Sequence, residues 1–159
     1  MPGPREREER LGHAFLASCL LIMMVIGPAL ADPVTPSQIR VVDGDTIHVS
    51  GQHRDSRLVG FKAPGMGRSQ CRAERALGYK AARRLRELVA AGRLDLEYIA
   101  CSCPAGTEGT SRCNKGRSCA ILKSAGRNVG EILVEDKLAV PFRCGKTECP
   151  KTPRPWCNV

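Results

Sequence analysis

The sequence predicts an α+β protein: a small barrel of five short strands, with two or three helices against it and with a loop and a tail held by disulfides. Three observations lead to this prediction. Five segments alternate apolar and polar residues, two others repeat apolar residues at helical spacing, and the 159-residue chain contains nine cysteines. A chain of this length can form one domain with a hydrophobic core.

The first three predicted strands lie close together in the chain. Ile39–Asp43 and Thr46–Val49 alternate apolar and polar residues, and Gly44 lies in the short turn between them, so they form a predicted hairpin. A third strand is predicted at 57–61. A loop rich in proline and glycine follows at 62–70.

The clearest helix is predicted at 72–91, with Gly92 placed to end it. One face carries apolar residues at three- and four-residue spacing: Leu77, Ala81, Leu85, Leu88 and Val89. Several arginines cover the rest of this helix. We interpret them as a solvated face rather than as a nucleic-acid contact.

Later segments complete the predicted barrel. Residues 94–101 and 118–123 alternate and predict the fourth and fifth strands, separated by a Gly-, Ser- and Cys-rich loop at 102–116. A short helix is predicted at 128–135. Five strands with helices after the third and the fifth favour a closed, OB-like barrel over an ordinary α+β sandwich.

The ends of the chain read as a leader and a tail. Residues 1–31 combine a charged start, a short apolar core and an Ala-Leu-Ala cleavage site, which is typical of a secretory signal peptide. An uncleaved anchor is the alternative. After cleavage we expect a linker at 32–38, a domain at 39–140 and a Cys/Pro-rich tail at 141–159 packed on it. The expected location is periplasmic or extracellular, in a bacterium, without stable membrane association.

Cysteine usage agrees with export. Cys19 lies in the leader, and an even number in a small exported chain predicts a disulfide framework. Zinc is the rival interpretation, but the spacings are not those of a common zinc module. The expected pairs are Cys103–Cys113, Cys101–Cys119, Cys144–Cys149 and Cys71–Cys157.

The net charge of the chain is +9. Three arginines and three glutamates cancel in the leader, so the whole excess belongs to the remaining residues. Such a charge favours a polyanionic partner, although it also serves solubility. Aromatic residues are few, which argues against extensive base stacking.

Several short motifs follow one another in a fixed order between about residues 41 and 140. They are Val42 to Thr46 (V-D-G-D-T), Arg57 to Phe61 with Ala63-Pro64, Glu74 and Ala81 in the helix, Gly116-Arg117 before a strand, Val129 to Val134, and Leu138-Ala139. This ordered set resembles the thermonuclease, or staphylococcal-nuclease-like, family. The cysteine-rich loop and tail resemble a secreted bacterial subgroup of it.

The resemblance implies an OB-fold barrel that binds single-stranded DNA or RNA and, in active members, hydrolyses the phosphodiester with Ca²⁺. It implies that Asp45 ligates calcium and that Asp43 supports the metal site. It assigns Arg57 and Arg117 to holding the phosphate and stabilising its charge, which makes them the expected catalytic residues. A monomer is expected.

Two positions depart from the family pattern. Lys62 stands where active members have an aspartate that ligates calcium, and Gly65 stands where they have the glutamate that activates water. An ammonium removes an oxygen ligand and repels the ion, and a lost general base typically costs about 10²–10⁴ in rate. We therefore expect calcium binding that is weakened or absent.

Three residues could replace the missing base: Asp55, His48 and Glu74. We interpret His48 and His53 as exposed strand and turn residues. The first hypothesis for function is an exported nuclease with weakened phosphodiester hydrolysis. The second is a catalytically inactive relative that binds nucleic acid or another polyanion through a basic groove containing Arg57, Lys62 and Arg117. A purely structural periplasmic protein is the third.

Overall fold

The computed structural model describes residues 32–157, which form an α+β unit of nine strands and two α-helices. The strands are β1 Asp32–Val34, β2 Ile39–Asp43, β3 Thr46–Val49, β4 Ser56–Leu58, β5 Gly60–Lys62, β6 Leu94–Ile99, β7 Ser118–Ser124, β8 Arg127–Asn128 and β9 Val140–Phe142. The helices are α1 Arg72–Ala90 and α2 Val129–Glu135. Three short 3-10 helices complete the secondary structure of these residues: Pro36–Gln38, Asn114–Gly116 and Pro155–Cys157.

The strands form one curled, mixed sheet and one small one. The large sheet has the order β1-β6-β7-β4-β3-β2, with β8 also paired to β7, and only β4 and β7 run parallel. Strands β5 and β9 form a separate antiparallel pair. The apolar side chains that face inward from the large sheet meet the buried faces of both helices in one core.

The hairpin of β2 and β3 is confirmed at the predicted bounds. Its register pairs Ile39 with Val49, and an irregularity between Val41 and Asp43 shifts the pairing at the turn. Gly44 in this turn packs very closely against α1 and the loop after β5. A Cβ atom there would lie 2.7 Å from the Cβ of Ala63 and 2.9 Å from the Cβ of Ala81. The hairpin tip is thereby fixed against the centre of the fold.

Helix α1 follows its prediction closely, and the Sγ of Cys71 accepts a hydrogen bond from the N–H of Glu74 at its start. Gly78 lets the helix approach the loop after β5, since a Cβ at this position would lie 2.9 Å from the carbonyl oxygen of Pro64. The buried face also includes Glu74, which the apolar spacing did not reveal.

Several predicted boundaries are wrong. Part of the predicted linker at 32–38 is strand β1, which pairs with β6. The predicted third strand divides into β4 and β5, which belong to different sheets, because Gly60 adopts φ +93° and turns the chain. The predicted domain end at residue 140 falls inside β9. The number of strands in the large sheet is seven and not five. The predicted leader, 1–31, lies outside the described residues.

All four expected cysteine pairs are disulfides in the structure. Cys101–Cys119 joins the start of the loop after β6 to β7, Cys103–Cys113 closes a part of this loop, and Cys71–Cys157 ties the tail to the start of α1. These eight cysteines therefore offer no thiolate to zinc. Four disulfides fit a non-cytoplasmic environment. Within residues 32–157, no helix has the length and apolarity that crossing a membrane requires.

Candidate functional site

Asp45 lies in the hairpin turn, immediately before β3, and its side chain is 2% exposed. Its Oδ2 accepts hydrogen bonds from Nζ of Lys62 at 2.8 Å and from the N–H of Ala63 at 3.0 Å, and it lies 3.0 Å from Nη1 of Arg57. Its Oδ1 accepts a hydrogen bond from Oγ1 of Thr46 at 3.2 Å. Burial acts to raise the pKa of Asp45, but the positive charges of Arg57 and Lys62 hold the pKa below its ordinary value.

Arg57 is held by the backbone as well as by Asp45. Its Nε donates to the carbonyl oxygen of Leu58 at 3.2 Å, and its Nη2 donates to that of Phe61 at 3.0 Å. A guanidinium has five N–H groups. With one more directed at Asp45, about two remain for a ligand at the 12% of the side chain that is exposed.

Arg117 lies just before β7 and is fixed by the cysteine-rich loop. Its Nε donates to the backbone carbonyl of Asn114 at 3.0 Å, its Nη2 donates to Oδ1 of Asn114 at 2.9 Å, and its Nη1 donates to Oγ1 of Thr46 at 3.1 Å. Burial lowers the pKa of Arg117, and the nearby charge of Arg57 lowers this pKa further. The two arginines that the resemblance singled out therefore lie near each other, although far apart in sequence.

Asp43 is half-buried beside this cluster. Its Oδ1 accepts a hydrogen bond from the N–H of Gly44 at 2.7 Å. Burial is the main reason why its pKa is raised, and the negative charge of Asp45 adds to the effect. Among the described residues, no cation lies within ion-pair distance of Asp43.

These groups do not fit calcium. The ion takes six to eight oxygen ligands, at about 2.3–2.6 Å. The Oδ2 of Asp45 is occupied by Lys62, Arg57 and Ala63, and the ammonium of Lys62 stands where a cation would have to stand. Asp43 is then the one remaining carboxylate of the two that were expected to bind calcium.

The loop after β5 is held by Glu74, and Glu74 is in turn held by the tail. Oε1 of Glu74 accepts from the N–H of Gly65 at 3.3 Å and from Nη2 of Arg154 at 2.7 Å, and Oε2 accepts from the N–H of Gln70 at 2.7 Å. Burial acts to raise the pKa of Glu74, but these hydrogen bonds keep the pKa below its ordinary value. The carboxylate is therefore fully engaged in holding the loop and the tail, and it is unsuited to replace the missing base.

Glu74 also lies beside the sulfur atoms of Cys71 and Cys157. Both sulfurs belong to one disulfide, so this group is not a metal site.

His48 and Asp55 form a pair that the sequence did not reveal. Nδ1 of His48 lies 3.0 Å from Oδ1 of Asp55, and His48 is half-buried rather than exposed as expected. The turn residue His53 is exposed, as expected. The antiparallel register of β3 and β4 pairs Thr46 with Arg57, and its continuation places position 48 opposite position 55. The short turn between the second and third predicted strands was the sequence signal for this pairing.

The search of protein-family models and the search of curated proteins found no match for this chain. Membership of the thermonuclease family therefore stays a prediction that rests on the residues themselves.

Proposed function

We propose that this protein is an exported, monomeric member of the thermonuclease family whose curled sheet is an OB-like barrel. We propose that it binds single-stranded nucleic acid through Arg57, Lys62 and Arg117, here called the basic cluster, and that it does so without calcium-dependent hydrolysis. In this proposal the phosphate of the nucleic acid is the recognised group.

The contact between Lys62 and Asp45 carries this proposal. The Nζ atom of Lys62 lies 2.8 Å from Oδ2 of Asp45, so the protein supplies its own cation where active relatives are expected to use a metal ion. An ammonium fixed in this way adds positive charge near the two guanidinium groups. It can attract a phosphate, but it cannot activate water as a bound metal ion does.

The remaining donors of the two arginines support phosphate binding. Each guanidinium uses three N–H groups on protein acceptors, so about two are left on each. Because these side chains are already fixed, a ligand would not have to order them, and the entropy cost of binding falls.

A calcium-dependent nuclease with weakened activity is the competing hypothesis. It is favoured by the proximity of Arg57, Arg117, Asp43 and Asp45, which active members also carry. It is disfavoured by the poor fit of the donor set to calcium.

Binding of labelled single-stranded DNA and RNA by the oxidised protein tests the proposal. Fluorescence anisotropy would be measured over a salt series, with Ca²⁺ and with a chelator. We expect equal affinity in both conditions and a fall in affinity with salt, with a slope of about −0.7 for each neutralised phosphate.

Arg117→Ala is expected to weaken this binding. Arg83→Ala is the matched control, because Arg83 lies on α1 and its side chain is 72% exposed. Calcium-dependent cleavage that disappears in Arg117→Ala would instead establish the competing hypothesis. Salt-independent binding, or none, would refute both.

A further inference from the structure

The pair formed by His48 and Asp55 has the geometry of an oriented base. The two side chains face each other across β3 and the residue before β4, with Nδ1 and Oδ1 3.0 Å apart. The side chain of His48 is 31% exposed and that of Asp55 is 36% exposed, so a ligand can reach the ring. An ionised carboxylate only accepts hydrogen bonds, so Nδ1 carries the proton that is shared with Asp55. In the neutral ring, Nε2 then has a free lone pair and can accept a proton.

This pair lies on the same face of the sheet as the phosphate-binding groups. Side chains alternate along a strand, so His48 and Thr46 share a face and lie about 7 Å apart. Thr46 accepts the hydrogen bond from Nη1 of Arg117. On the other side, the carbonyl oxygen of Asp55 accepts from the N–H of Ser118, the residue after Arg117.

Arg40 lies opposite His48 on β2 and is exposed. The strand register places Arg40 and Asp55 beside His48, and it places Asp43 and Arg57 beside Thr46, the residue that Arg117 contacts. Three of these five charged residues are positive, so this face carries a net charge of +1 and attracts phosphate.

The chemistry that such a base can support depends on the nucleophile. Without a metal ion, water is a poor nucleophile, and a general base contributes only about 10²–10⁴ in rate. RNA carries its own nucleophile, the 2′-hydroxyl next to each phosphodiester. An intramolecular group held in the right geometry reaches effective molarities of about 10⁵–10⁸ M. DNA lacks this group, so the geometry favours RNA as the substrate class.

We propose that His48, oriented by Asp55, is the general base of a slow, metal-independent cleavage of single-stranded RNA. Nε2 of His48 takes the proton of a 2′-hydroxyl, the O2′–P bond forms, and the P–O5′ bond breaks. The electron pair leaves with O5′, which takes a proton from water, and the resulting hydroxide recovers the proton from His48. The products are a 2′,3′-cyclic phosphate and a 5′-hydroxyl.

In this reaction Arg117 and Arg57 donate to the phosphate oxygens on which negative charge builds. The inference rests on the proposed binding of nucleic acid by the basic cluster.

The test uses the oxidised protein, end-labelled single-stranded RNA and an excess of chelator, with DNA of the same sequence as a substrate control. Mass spectrometry of the products identifies the cyclic phosphate. Binding is measured in parallel on 2′-O-methyl RNA, which cannot react. We expect cleavage of RNA and none of DNA.

His48→Gln removes the base but keeps a polar side chain on the surface. We expect it to cleave RNA about 100-fold more slowly or worse, with unchanged affinity for 2′-O-methyl RNA. His53→Gln is the matched control and is expected to cleave at the parent rate. Asp55→Asn, which keeps an acceptor but removes the charge, is the second variant. We expect it to lower the cleavage rate without changing this affinity.

Each adverse outcome points to a different error. A parent protein that binds RNA and leaves it intact would overturn this inference and leave the proposed function standing. Cleavage by His48→Gln at the parent rate would also overturn it, because the base would then lie elsewhere. A parent protein that binds neither RNA nor DNA would overturn the proposed function itself.

Discussion

The ammonium group of Lys62 lies 2.8 Å from Oδ2 of Asp45, a carboxylate with 2% of its side chain exposed. Arg57 contacts the same oxygen atom at 3.0 Å. Two cations share one buried carboxylate, and with Asp43 and Arg117 these five side chains carry a net charge of +1. We expect the contact of Lys62 with Asp45 both to stabilise the fold and to shape the candidate ligand site.

Replacing Lys62 by alanine tests both roles. Asp45 would lose one of its donors but keep Arg57, so we expect the free energy of unfolding to fall by about 1–3 kcal/mol. The salt slope of binding to single-stranded DNA should become less steep by about 0.7. Urea unfolding and fluorescence anisotropy measure the two effects. Lys123→Ala, an exposed change on β7, serves as the control. If Lys62→Ala kept the stability and the salt slope of the parent protein, the contact would neither stabilise the fold nor contribute to binding.

The two carboxylates of the hairpin are expected to respond to pH with opposite signs. The pKa of Asp45 is held below its ordinary value of 3.8, so its contribution to stability is present above that pH and is lost as the pH falls through the lower folded pKa. The pKa of Asp43 is raised, so its contribution is present below pH 3.8 and is lost as the pH rises through the folded pKa.

Asp43→Asn and Asp45→Asn separate these effects. At pH 7 we expect Asp43→Asn to raise the free energy of unfolding, by up to about 1 kcal/mol, and this gain should vanish at low pH. Asp45→Asn should instead lower it by about 3–5 kcal/mol, since two cations lose their partner. Urea unfolding between pH 3 and pH 7 gives both curves. If the stability of both variants changed with pH in the same way, the opposite pKa shifts of Asp43 and Asp45 would be contradicted.

Lys62→Asp combined with Gly65→Glu introduces the two acids that the resemblance to the thermonuclease family predicts at these positions in active members. A Cβ atom at Gly65 would lie 3.5 Å from its nearest neighbour, Oε1 of Glu74, so the backbone position accepts a side chain without a clash at Cβ. We expect the double variant to bind Ca²⁺ measurably by isothermal titration calorimetry and to gain calcium-dependent cleavage of DNA. Gly65→Glu alone keeps Lys62 and should bind no calcium. A double variant that binds calcium no better than the parent would show that the assignment of this loop is wrong.

The disulfides should differ in their effect on stability. Cys71–Cys157 spans 86 residues and Cys144–Cys149 spans five. On chain-entropy grounds, removal of the first by paired Cys→Ala changes should cost about 4–5 kcal/mol, and removal of the second should cost about 2 kcal/mol. Thermal and urea unfolding provide the comparison. Equal losses of stability would show that the length of the closed loop does not determine what these disulfides contribute.

Local sequence patterns predicted the hairpin and the first helix, but they could not predict which strands pair when the strands lie far apart in the chain. The hairpin and α1 follow from alternation and helical spacing, which are properties of neighbouring residues. Strand β1 has three residues, and its partner β6 lies far along the chain, so no local pattern marks it. The break at Val59 depends on the left-handed backbone of Gly60. In the sequence this residue is only a glycine within an apolar segment, and nothing there predicts its backbone conformation.

The candidate site shows the same limit. The resemblance of short sequence motifs to a known family predicted Arg57, Lys62, Arg117 and both aspartates as candidate site residues. It could not show that Lys62 contacts Asp45 directly. Nor could it show that Arg154, 80 residues after Glu74, holds the carboxylate that the helix buries. Contacts of this kind depend on how separate segments meet in three dimensions.

Asn114 fixes Arg117 from a loop that two disulfides close, Cys103–Cys113 within it and Cys101–Cys119 at its base. The position of Arg117 therefore depends on the oxidation of four sulfur atoms. If Arg117 binds phosphate as proposed, a reduced chain would hold nucleic acid poorly. Disulfide formation would then be the step that makes the protein competent to bind, and a thiol reductant would reverse it.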